Sequence, residues 1–339
     1  MIIKTCAYPR AALIGNPSDG YYGKTIAFTF NNFQADITLY QTSEIEILPG
    51  KMDQAKYISI EKLLEDVNLY GYYGGIRLIK ASIKRFCEYC ERNKILLEKK
   101  NFTIRYHTSI PRHLGLAGSS AIITACVRAL CLFYGVAIPN PLLANLILAV
   151  ETEELHISAG LQDRVAQVYE GAVYMDFNKK YMEENGSGIY KKINDFNLPL
   201  FIAYKHSLSE GSEKTHDNLR YKFENGDRET ISAMEKFAAF TDDFINALNV
   251  KDYRSLNAII NANFDLRKSI CEISPDNLKI IQTVRAMGYS AKFTGSGGAV
   301  IGLYNKEEDY VKLKEELEKM GIEIIKPVLA GNRMNRNIQ

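Results

Sequence analysis

The sequence predicts an α+β fold made of two domains. Segments with helical spacing and segments with strand alternation are mixed along the chain without a regular strand–helix–strand repeat, which argues against a doubly wound sheet. The 339 residues are enough for two domains. We place the boundary after residue 195, giving an N-terminal domain of residues 1–195 and a C-terminal domain of residues 196–339, because residues 181–197 are polar and contain glycine.

Composition excludes several classes of partner. Hydrophobic residues make up 46% of the chain and charged residues 24%, which is ordinary for a globular protein in water. The net charge of +2 gives no electrostatic reason to expect nucleic acid or an anionic membrane as a partner. The N-terminus lacks the features of a signal peptide, and no apolar run approaches the ~20 residues that a membrane span needs.

The six cysteines predict a reducing compartment. They are scattered, and the pair Cys87 and Cys90 lacks the two further ligands that a zinc site requires. Unpaired thiols of this kind are typical of the cytoplasm, which is the predicted location.

Short apolar or alternating runs predict the first strands, and longer helical patterns predict the helices that follow. The predicted strands of this part are 2–3, 11–14, 26–30, 35–39 and 102–106, and the predicted helices are 63–70 and 75–93.

A glycine-rich loop, PRHLGLAGSSA from Pro111 to Ala121, joins the strand at 102–106 to a helical pattern at 122–133. Its glycines Gly115 and Gly118 carry no Cβ atom that would block a ligand. The first turn of a helix also offers unpaired N–H groups and a favourable dipole to an anion. The loop therefore predicts a phosphate-binding site, although a capped helix after a tight turn is the simpler interpretation of one such loop.

The remaining pattern extends the α+β prediction to the end of the chain. A glycine-rich segment, Gly295 to Gly298, lies between two predicted strands and could be a plain hairpin turn. The predicted helices are 142–156, a short one within 159–171, 227–270 with a break near 249–252, 277–287 and 306–320, and the predicted strands are 172–177, 200–204, 291–294, 299–303 and 322–325.

Three motifs occur in a fixed order: AYPRAALIGNPSD at 7–19, GLAGSS at 115–120 and KFTGSGGA at 292–299. The set resembles the GHMP kinases, the superfamily of galactokinase, homoserine kinase, mevalonate kinase and phosphomevalonate kinase. The resemblance covers nearly the whole chain and implies an ATP-dependent small-molecule kinase with its active site in the cleft between two domains.

A narrower resemblance is to the glucuronokinases, which phosphorylate the anomeric hydroxyl of glucuronate. The blocks LIGNPSDGYYGKTI, GYYGGIRL, IPRHLGLAGSSAI, AGLQDRVAQVYEG and KFTGSGGAV carry it. Asn16 and Pro17 stand where galactokinases have a Glu-His pair, which counts against a plain galactokinase.

The resemblance implies which residues bind ATP and Mg²⁺. The Ser120 hydroxyl, or that of Ser119, and the carboxylate of Glu151 would hold the cation, with Glu153 and Glu154 as rivals; a solvated helix end is the structural alternative for these acids. The predicted ATP-binding residues are Pro111, Gly115, Leu116, Ala117, Gly118, Ser119 and Ser120.

The resemblance also implies the catalytic and sugar-binding residues. Asp163 would accept the proton of the sugar hydroxyl, and Arg10 would keep that aspartate ionised and offset phosphate charge. Without the resemblance, Asp163 would be an ordinary acid in a first helical turn, and some members of the superfamily manage without a base. Asp19, Tyr21, Tyr22 and Gly297 would line the sugar pocket, with an Asx-turn as the alternative for Asp19.

The predicted function is an ATP-dependent 1-kinase for D-glucuronate. A kinase for a neutral hexose or a heptose phosphate is the alternative, and a catalytically silent regulator on the same fold is a third. The carboxylate of glucuronate requires a cation or several N–H donors, for which Lys24, Arg77 and Arg112 are candidates. The oligomeric state is left open, with a homodimer among the alternatives.

Overall fold

The computed structural model describes residues 2–48, 74–205 and 219–330. Within these ranges the chain forms three four-stranded sheets with helices packed between and around them, so the predicted mixture of helices and strands is confirmed. The helix predicted at 63–70 lies outside the described residues. In the part of the chain described, no helix has both the length and the apolar character needed to cross a bilayer.

The first sheet has the order β1-β4-β6-β5. Its strands are antiparallel except for β5, which runs parallel to β6. Burial alternates along β4, where Ala35, Ile37 and Leu39 face the core, as the sequence pattern predicts. Helix α2 covers this face, and α1 packs beside it. The elements are β1 (Ile2–Ala7), β4 (Ala35–Thr42), β5 (Glu46–Leu48), β6 (Asn101–Thr108), α1 (Gly75–Arg92) and α2 (Gly118–Tyr134).

The second sheet has the order β2-β3-β7-β8 and is antiparallel throughout. All five residues of β2 are buried, because helices pack on this sheet as well. Helix α4 and helix α6 both contact β3. The elements are β2 (Arg10–Ile14), β3 (Lys24–Thr29), β7 (Ala172–Asp176), β8 (Ile189–Lys192), α3 (Asn140–Ala149), α4 (Leu161–Tyr169), α5 (Lys179–Asn185) and α6 (Arg228–Asn249).

The third sheet has the order β10-β11-β9-β12. The glycine-rich segment after β10 turns the chain into β11, so these two strands form the predicted hairpin. The elements are β9 (Leu200–Tyr204), β10 (Lys292–Phe293), β11 (Ala299–Leu303), β12 (Glu323–Ile325), α7 (Tyr253–Ile270), α8 (Pro275–Ala286) and α9 (Glu307–Lys319).

Two local predictions differ from the structure. The polar segment 181–197 contains most of α5 and the edge strand β8, whose residues are half-buried or exposed and therefore give no apolar strand pattern. The helix predicted at 142–156 begins at Asn140, and its α-helical part ends at Ala149, where a π-helical turn, Val150–Glu154, continues it.

Strand pairing changes between β8 and β9, on either side of the boundary at residue 195. Strands up to Lys192 form the first two sheets, and strands from Leu200 form the third. One apolar cluster nevertheless contains residues from both parts, such as Val173, Ile202 and Phe244. The boundary itself therefore stays a prediction, although the pairing change favours a position between β8 and β9.

Candidate active site

A cleft of about 720 Å³ opens between the two parts of the chain. One wall contains Arg10, the 111–120 loop and the start of α4, and the other contains Arg220, Arg267, Gly295 and Ser296. The two walls therefore come from opposite sides of the predicted domain boundary, which is the cleft position that the sequence predicts.

The glycine-rich loop forms one end of the cleft. All seven residues predicted to bind ATP line it. Helix α2 begins at Gly118, slightly before the predicted start, and Ala117 precedes it in a left-handed backbone conformation with φ 58°. The N–H groups of the first helical turn thus lie at the cleft, where they can donate to an anion.

The loop touches the glycine-rich hairpin of the opposite wall. A Cβ atom on Gly295 would lie 2.4 Å from the backbone oxygen of Gly115, and one on Gly115 would lie 2.9 Å from the backbone nitrogen of Ser296. Only glycine allows the two backbones to approach this closely.

Gln167 fixes the start of α2 from the neighbouring helix. Its Oε1 accepts from the Ser120 hydroxyl, and its Nε2 donates to the backbone oxygens of Ala117 (2.9 Å) and Tyr8 (3.1 Å). Its side chain is fully buried, so these bonds are made without competition from water. Sequence reasoning missed Gln167, although its position four residues after Asp163 places both on one face of α4.

Arg10 connects Asp163, the candidate base, to the 111–120 loop and to Thr294 before the glycine-rich hairpin. Its Nε donates to Asp163 Oδ1 at 2.6 Å, and its NH1 donates to the backbone oxygens of Gly115 at 2.8 Å and Thr294 at 2.6 Å. Arg10 is 5% exposed, so the ion pair with Asp163 is largely shielded from solvent. The structure thus brings together the two residues to which the sequence assigns catalysis.

Asp19 lies next to this pair. The absence of a side chain at Gly160 lets it approach, because a Cβ there would come within 2.6 Å of Asp19 Oδ2. Burial and the nearby charge of Asp163 raise the pKa of Asp19 to about 7, against the lowering effect of Arg10. A carboxyl group with this pKa can donate or accept a hydrogen bond near neutral pH.

Two residues of the predicted sugar pocket lie outside the cleft lining. Tyr21 lines the cleft, but Tyr22 does not. Tyr22 follows the 3₁₀ turn Ser18–Tyr21 in a left-handed conformation, and its side chain is 48% exposed beside Lys179. Gly297 also lies outside the lining, because the hairpin turns there towards α8, where the N–H of Gly298 donates to Asn277.

The oxygens of Glu151 and Ser120 fit a magnesium site. Both residues line the cleft, and Mg²⁺ typically takes one or two carboxylates and completes its shell with water and substrate phosphates. No group of three or more His, Cys, Asp or Glu side chains that could hold a metal ion occurs in the described ranges.

Arg164 balances the charge of Glu151. Glu151 is 3% exposed and forms a buried ion pair with Arg164. Burial, together with the charge of Arg10, lowers the pKa of Arg164 to about 9, which still leaves it protonated at neutral pH.

The rival carboxylates of Glu153 and Glu154 lie outside the cleft. Glu153 pairs with Arg85, and Glu154 pairs with Lys84 at 2.7 Å, both on α1. Their geometry therefore favours Glu151 as the metal ligand.

The three candidate cations for a substrate carboxylate separate into two groups. Lys24 lies outside the cleft lining and pairs with Asp242 at 2.6 Å. Arg77 and Arg112 do line the cleft. Arg77 lies at the start of α1, and Arg112 belongs to the glycine-rich loop. Sequence reasoning missed the cleft arginines Arg164, Arg220 and Arg267, all of which lie outside the three motifs.

Lys292 was also not predicted as a site residue. Its ammonium group is buried and donates to Ala12 O at 2.9 Å, Asn16 Oδ1 at 2.7 Å and Phe293 O at 2.7 Å. Asn16 lines the cleft, so Lys292 orients a side chain of the first motif.

Comparison with known proteins agrees with this geometry. The family model for the GHMP kinases N terminal domain matches residues 77–171, and that for GHMP kinases C terminal matches residues 244–323. Among curated proteins, the chain is 43% identical to "Probable glucuronokinase 2" of Arabidopsis thaliana, covering 95% of this chain and 90% of the relative. It is 39% identical to "Glucuronokinase 1" of the same organism, covering 97% and 92%.

Solved structures share the fold. The mevalonate kinase of Methanococcus jannaschii has a TM-score of 0.72 at 21% identity, with 98% of each chain covered. The galactokinase of Lactococcus lactis complexed with galactose has a TM-score of 0.74 at 14% identity, covering 97% of this chain and 93% of that one. The two family models and the two relatives of 39–43% identity establish that the chain belongs to the GHMP kinases and is an ATP-dependent phosphotransferase.

Proposed function

We propose that the protein transfers the γ-phosphoryl group of ATP to the anomeric hydroxyl of D-glucuronate. The observation that carries the proposal is the Arg10–Asp163 pair, which lies between the phosphate-binding loop and Asp19. The identity of 39–43% to proteins named glucuronokinases supports the choice of sugar.

The transfer needs positioning, a proton acceptor and charge stabilisation. The N–H groups of the 115–120 loop bind the phosphates of ATP, and Asp19 with Tyr21 binds sugar hydroxyls. Asp163 accepts the proton of the anomeric hydroxyl while the new O–P bond forms and the bond to the ADP oxygen breaks. Arg10 orients Asp163 and places positive charge near the transferred group.

We assign magnesium binding to Glu151 and Ser120. The cation would neutralise charge on the phosphate oxygens. Arg164 modulates the site, because the same Glu151 carboxylate balances its buried charge.

The cytoplasm is the proposed location. All six cysteines are free thiols in the structure, and thiols persist in a reducing compartment. Homodimer formation stays a prediction. Light scattering on the purified protein, which measures its molar mass, tests it.

The test is ADP release with ATP, Mg²⁺ and a panel containing glucuronate, glucose, galactose and a heptose phosphate. We expect the highest kcat/KM for glucuronate. A preference for a neutral hexose would overturn the sugar assignment while leaving the kinase intact. No ADP release with any sugar would favour the silent regulator.

A further inference from the structure

A helical turn at residues 219–224 lies against the sugar end of the cleft. Leu219, which is 4% exposed, belongs to the same apolar cluster as Tyr21. The ring of Phe223 packs on that of Tyr21 with centroids 4.9 Å apart. These contacts fix the turn beside a residue that lines the cleft next to Asp19.

Arg220 projects from this turn into the cleft. It lies three residues before Phe223, so the two side chains share a face of the turn, and it lines the cleft together with Tyr21. Burial raises the pKa of Tyr21 to about 12, and the positive charge of Arg220 opposes that rise, which places the guanidinium within electrostatic range of the ring.

The other arginines of the cleft already have partners or lie elsewhere. Arg10 pairs with Asp163, and Arg164 pairs with Glu151. Arg267 donates to the backbone oxygens of Gly295 at 2.7 Å and Ser296 at 2.9 Å.

The two remaining cleft arginines lie at or near the glycine-rich loop and the strand before it. Arg112 is part of the phosphate-binding loop, and Arg77 belongs to the first turn of α1, where Gly75 packs on Tyr106 of the strand leading into that loop. Arg220 is therefore the cleft arginine beside Tyr21 and Asp19 for which the described residues give no hydrogen bond or ion pair.

We propose that Arg220 binds the carboxylate of the sugar substrate and is the residue that selects a uronate over a neutral hexose. The inference rests on the proposed function. With the anomeric hydroxyl at Asp163, the carboxylate on C5 projects from the other side of the ring oxygen, where Asp19, Tyr21 and Arg220 line the cleft. A guanidinium can donate two parallel hydrogen bonds to a carboxylate, which a hydroxymethyl group cannot accept in the same way.

The test compares glucuronate with D-glucuronamide, which has the same shape but no charge on C6. We expect the unaltered protein to prefer glucuronate in kcat/KM. In Arg220→Gln, the KM for glucuronate should rise by about 10- to 100-fold, while the KM for glucuronamide and the KM for ATP stay within about twofold. Arg220→Lys should give an intermediate KM for glucuronate, because lysine keeps the charge but loses the paired donors.

Arg228→Gln is the matched control. Arg228 is an exposed arginine at the start of α6, outside the cleft lining, so this variant removes the same charge without touching the sugar. An equal loss of glucuronate affinity in this control would show that the effect of Arg220→Gln comes from the change in net charge. That result would overturn the proposal.

An unchanged preference for glucuronate over glucuronamide in Arg220→Gln would also overturn it, while the glucuronate kinase assignment would stand. Failure of the unaltered protein to bind glucuronate, measured by calorimetry, or to phosphorylate it would instead overturn the proposed function itself. The two failures are therefore distinguishable.

Discussion

At the scale of single residues, Asp163 lines the cleft and has an arginine beside each of its carboxylate oxygens. One of its oxygens accepts from Arg10, and the other lies 3.4 Å from Arg164. Such a carboxylate stays fixed while it accepts a proton from the substrate.

Replacing Asp163 by Asn removes the proton acceptor and keeps the shape. We expect kcat to fall by roughly 10²–10⁴-fold, the usual contribution of a general base. The Kd for ATP, measured by calorimetry, should change little, because the phosphate-binding loop is untouched. Near-normal turnover would show that the hydroxyl loses its proton without this carboxylate.

The raised pKa of Asp19 makes stability depend on pH. The folded protein keeps a proton on Asp19 up to about pH 7, whereas the unfolded chain releases it near the ordinary value of 3.8. Since the folded state binds more protons in this window, the free energy of unfolding decreases as pH rises from about 4 to 7. Asn at this position has no proton to release.

The prediction is that Asp19→Asn gains stability relative to the unaltered protein as pH rises through this window, with a constant difference above pH 7. Urea unfolding at a series of pH values measures the free energy of unfolding of both proteins. Taking the difference removes the contribution of other titrating groups. A pH-independent difference would contradict the assignment.

Glu151→Gln removes both the proposed metal ligand and the counter-charge of Arg164. We expect weaker binding of Mg²⁺–ADP by calorimetry and a loss of stability of roughly 3–5 kcal/mol, because the buried guanidinium of Arg164 loses its ion pair with Glu151. Glu153→Gln is the control, since its exposed pair with Arg85 should contribute at most about 1 kcal/mol. Equal effects of the two substitutions would show that Glu151 is the wrong carboxylate for the metal site.

At the scale of elements, α4 holds the start of α2. Gln167 makes this connection through Ser120, Ala117 and Tyr8, all at or near the phosphate-binding loop. The shape of the loop therefore depends on a neighbouring helix as well as on its own glycines.

Gln167→Met keeps the volume and removes these hydrogen bonds. We expect a raised KM for ATP and a lower melting temperature, since buried partners left without hydrogen bonds cost about 1–3 kcal/mol each. Asn145→Ala removes one exposed hydrogen bond, to Gly186, and serves as the control with an unchanged KM. Equal KM values in both variants would show that the loop holds its shape without Gln167.

The elements with strong local signals could be predicted from the sequence. The alternation of apolar and polar residues in β4 predicts a strand, and the long apolar pattern of α2 predicts a helix. The edge strand β8 could not be predicted, because its half-exposed polar residues form a strand only by pairing with β7.

The site residues also divide into those that could be predicted from the sequence and those that could not. Arg10, inside the first motif, and Asp163, inside the block AGLQDRVAQVYEG, were found by resemblance. Gln167 and Arg220 act through contacts between segments far apart in sequence, which no local pattern encodes. Tyr22 follows a 3₁₀ turn in a left-handed conformation and lies outside the cleft lining, which no pattern in the sequence indicates.

At the scale of the whole molecule, buried polar groups connect the two parts of the chain. The ammonium of Lys292 on β10 donates to Ala12 and Asn16, and the N–H of Ala12 donates to the backbone oxygen of Thr294 at 2.9 Å. A shared apolar cluster adds to these bonds. Separating the parts would break these buried hydrogen bonds and expose the shared apolar cluster to water.

We therefore expect a single cooperative transition in calorimetric unfolding of the unaltered protein. Lys292→Met should lower the melting temperature, because three acceptors lose their donor at once. Lys314→Met on α9, which removes an exposed lysine paired at 3.7 Å with Glu318, should leave it nearly unchanged. Two well-separated transitions in the unaltered protein would contradict this coupling.

The close contact between the backbones of Gly115 and Gly295 has a consequence for protein engineering. The nucleotide loop of the first half is shaped against a hairpin that the second half supplies, and Arg10 bonds to both. If the gene were cut between β8 and β9 and the fragments were fused to two interacting partners, nucleotide binding should return only when those partners meet. The enzyme is thus a candidate scaffold for a complementation reporter whose signal is ADP production.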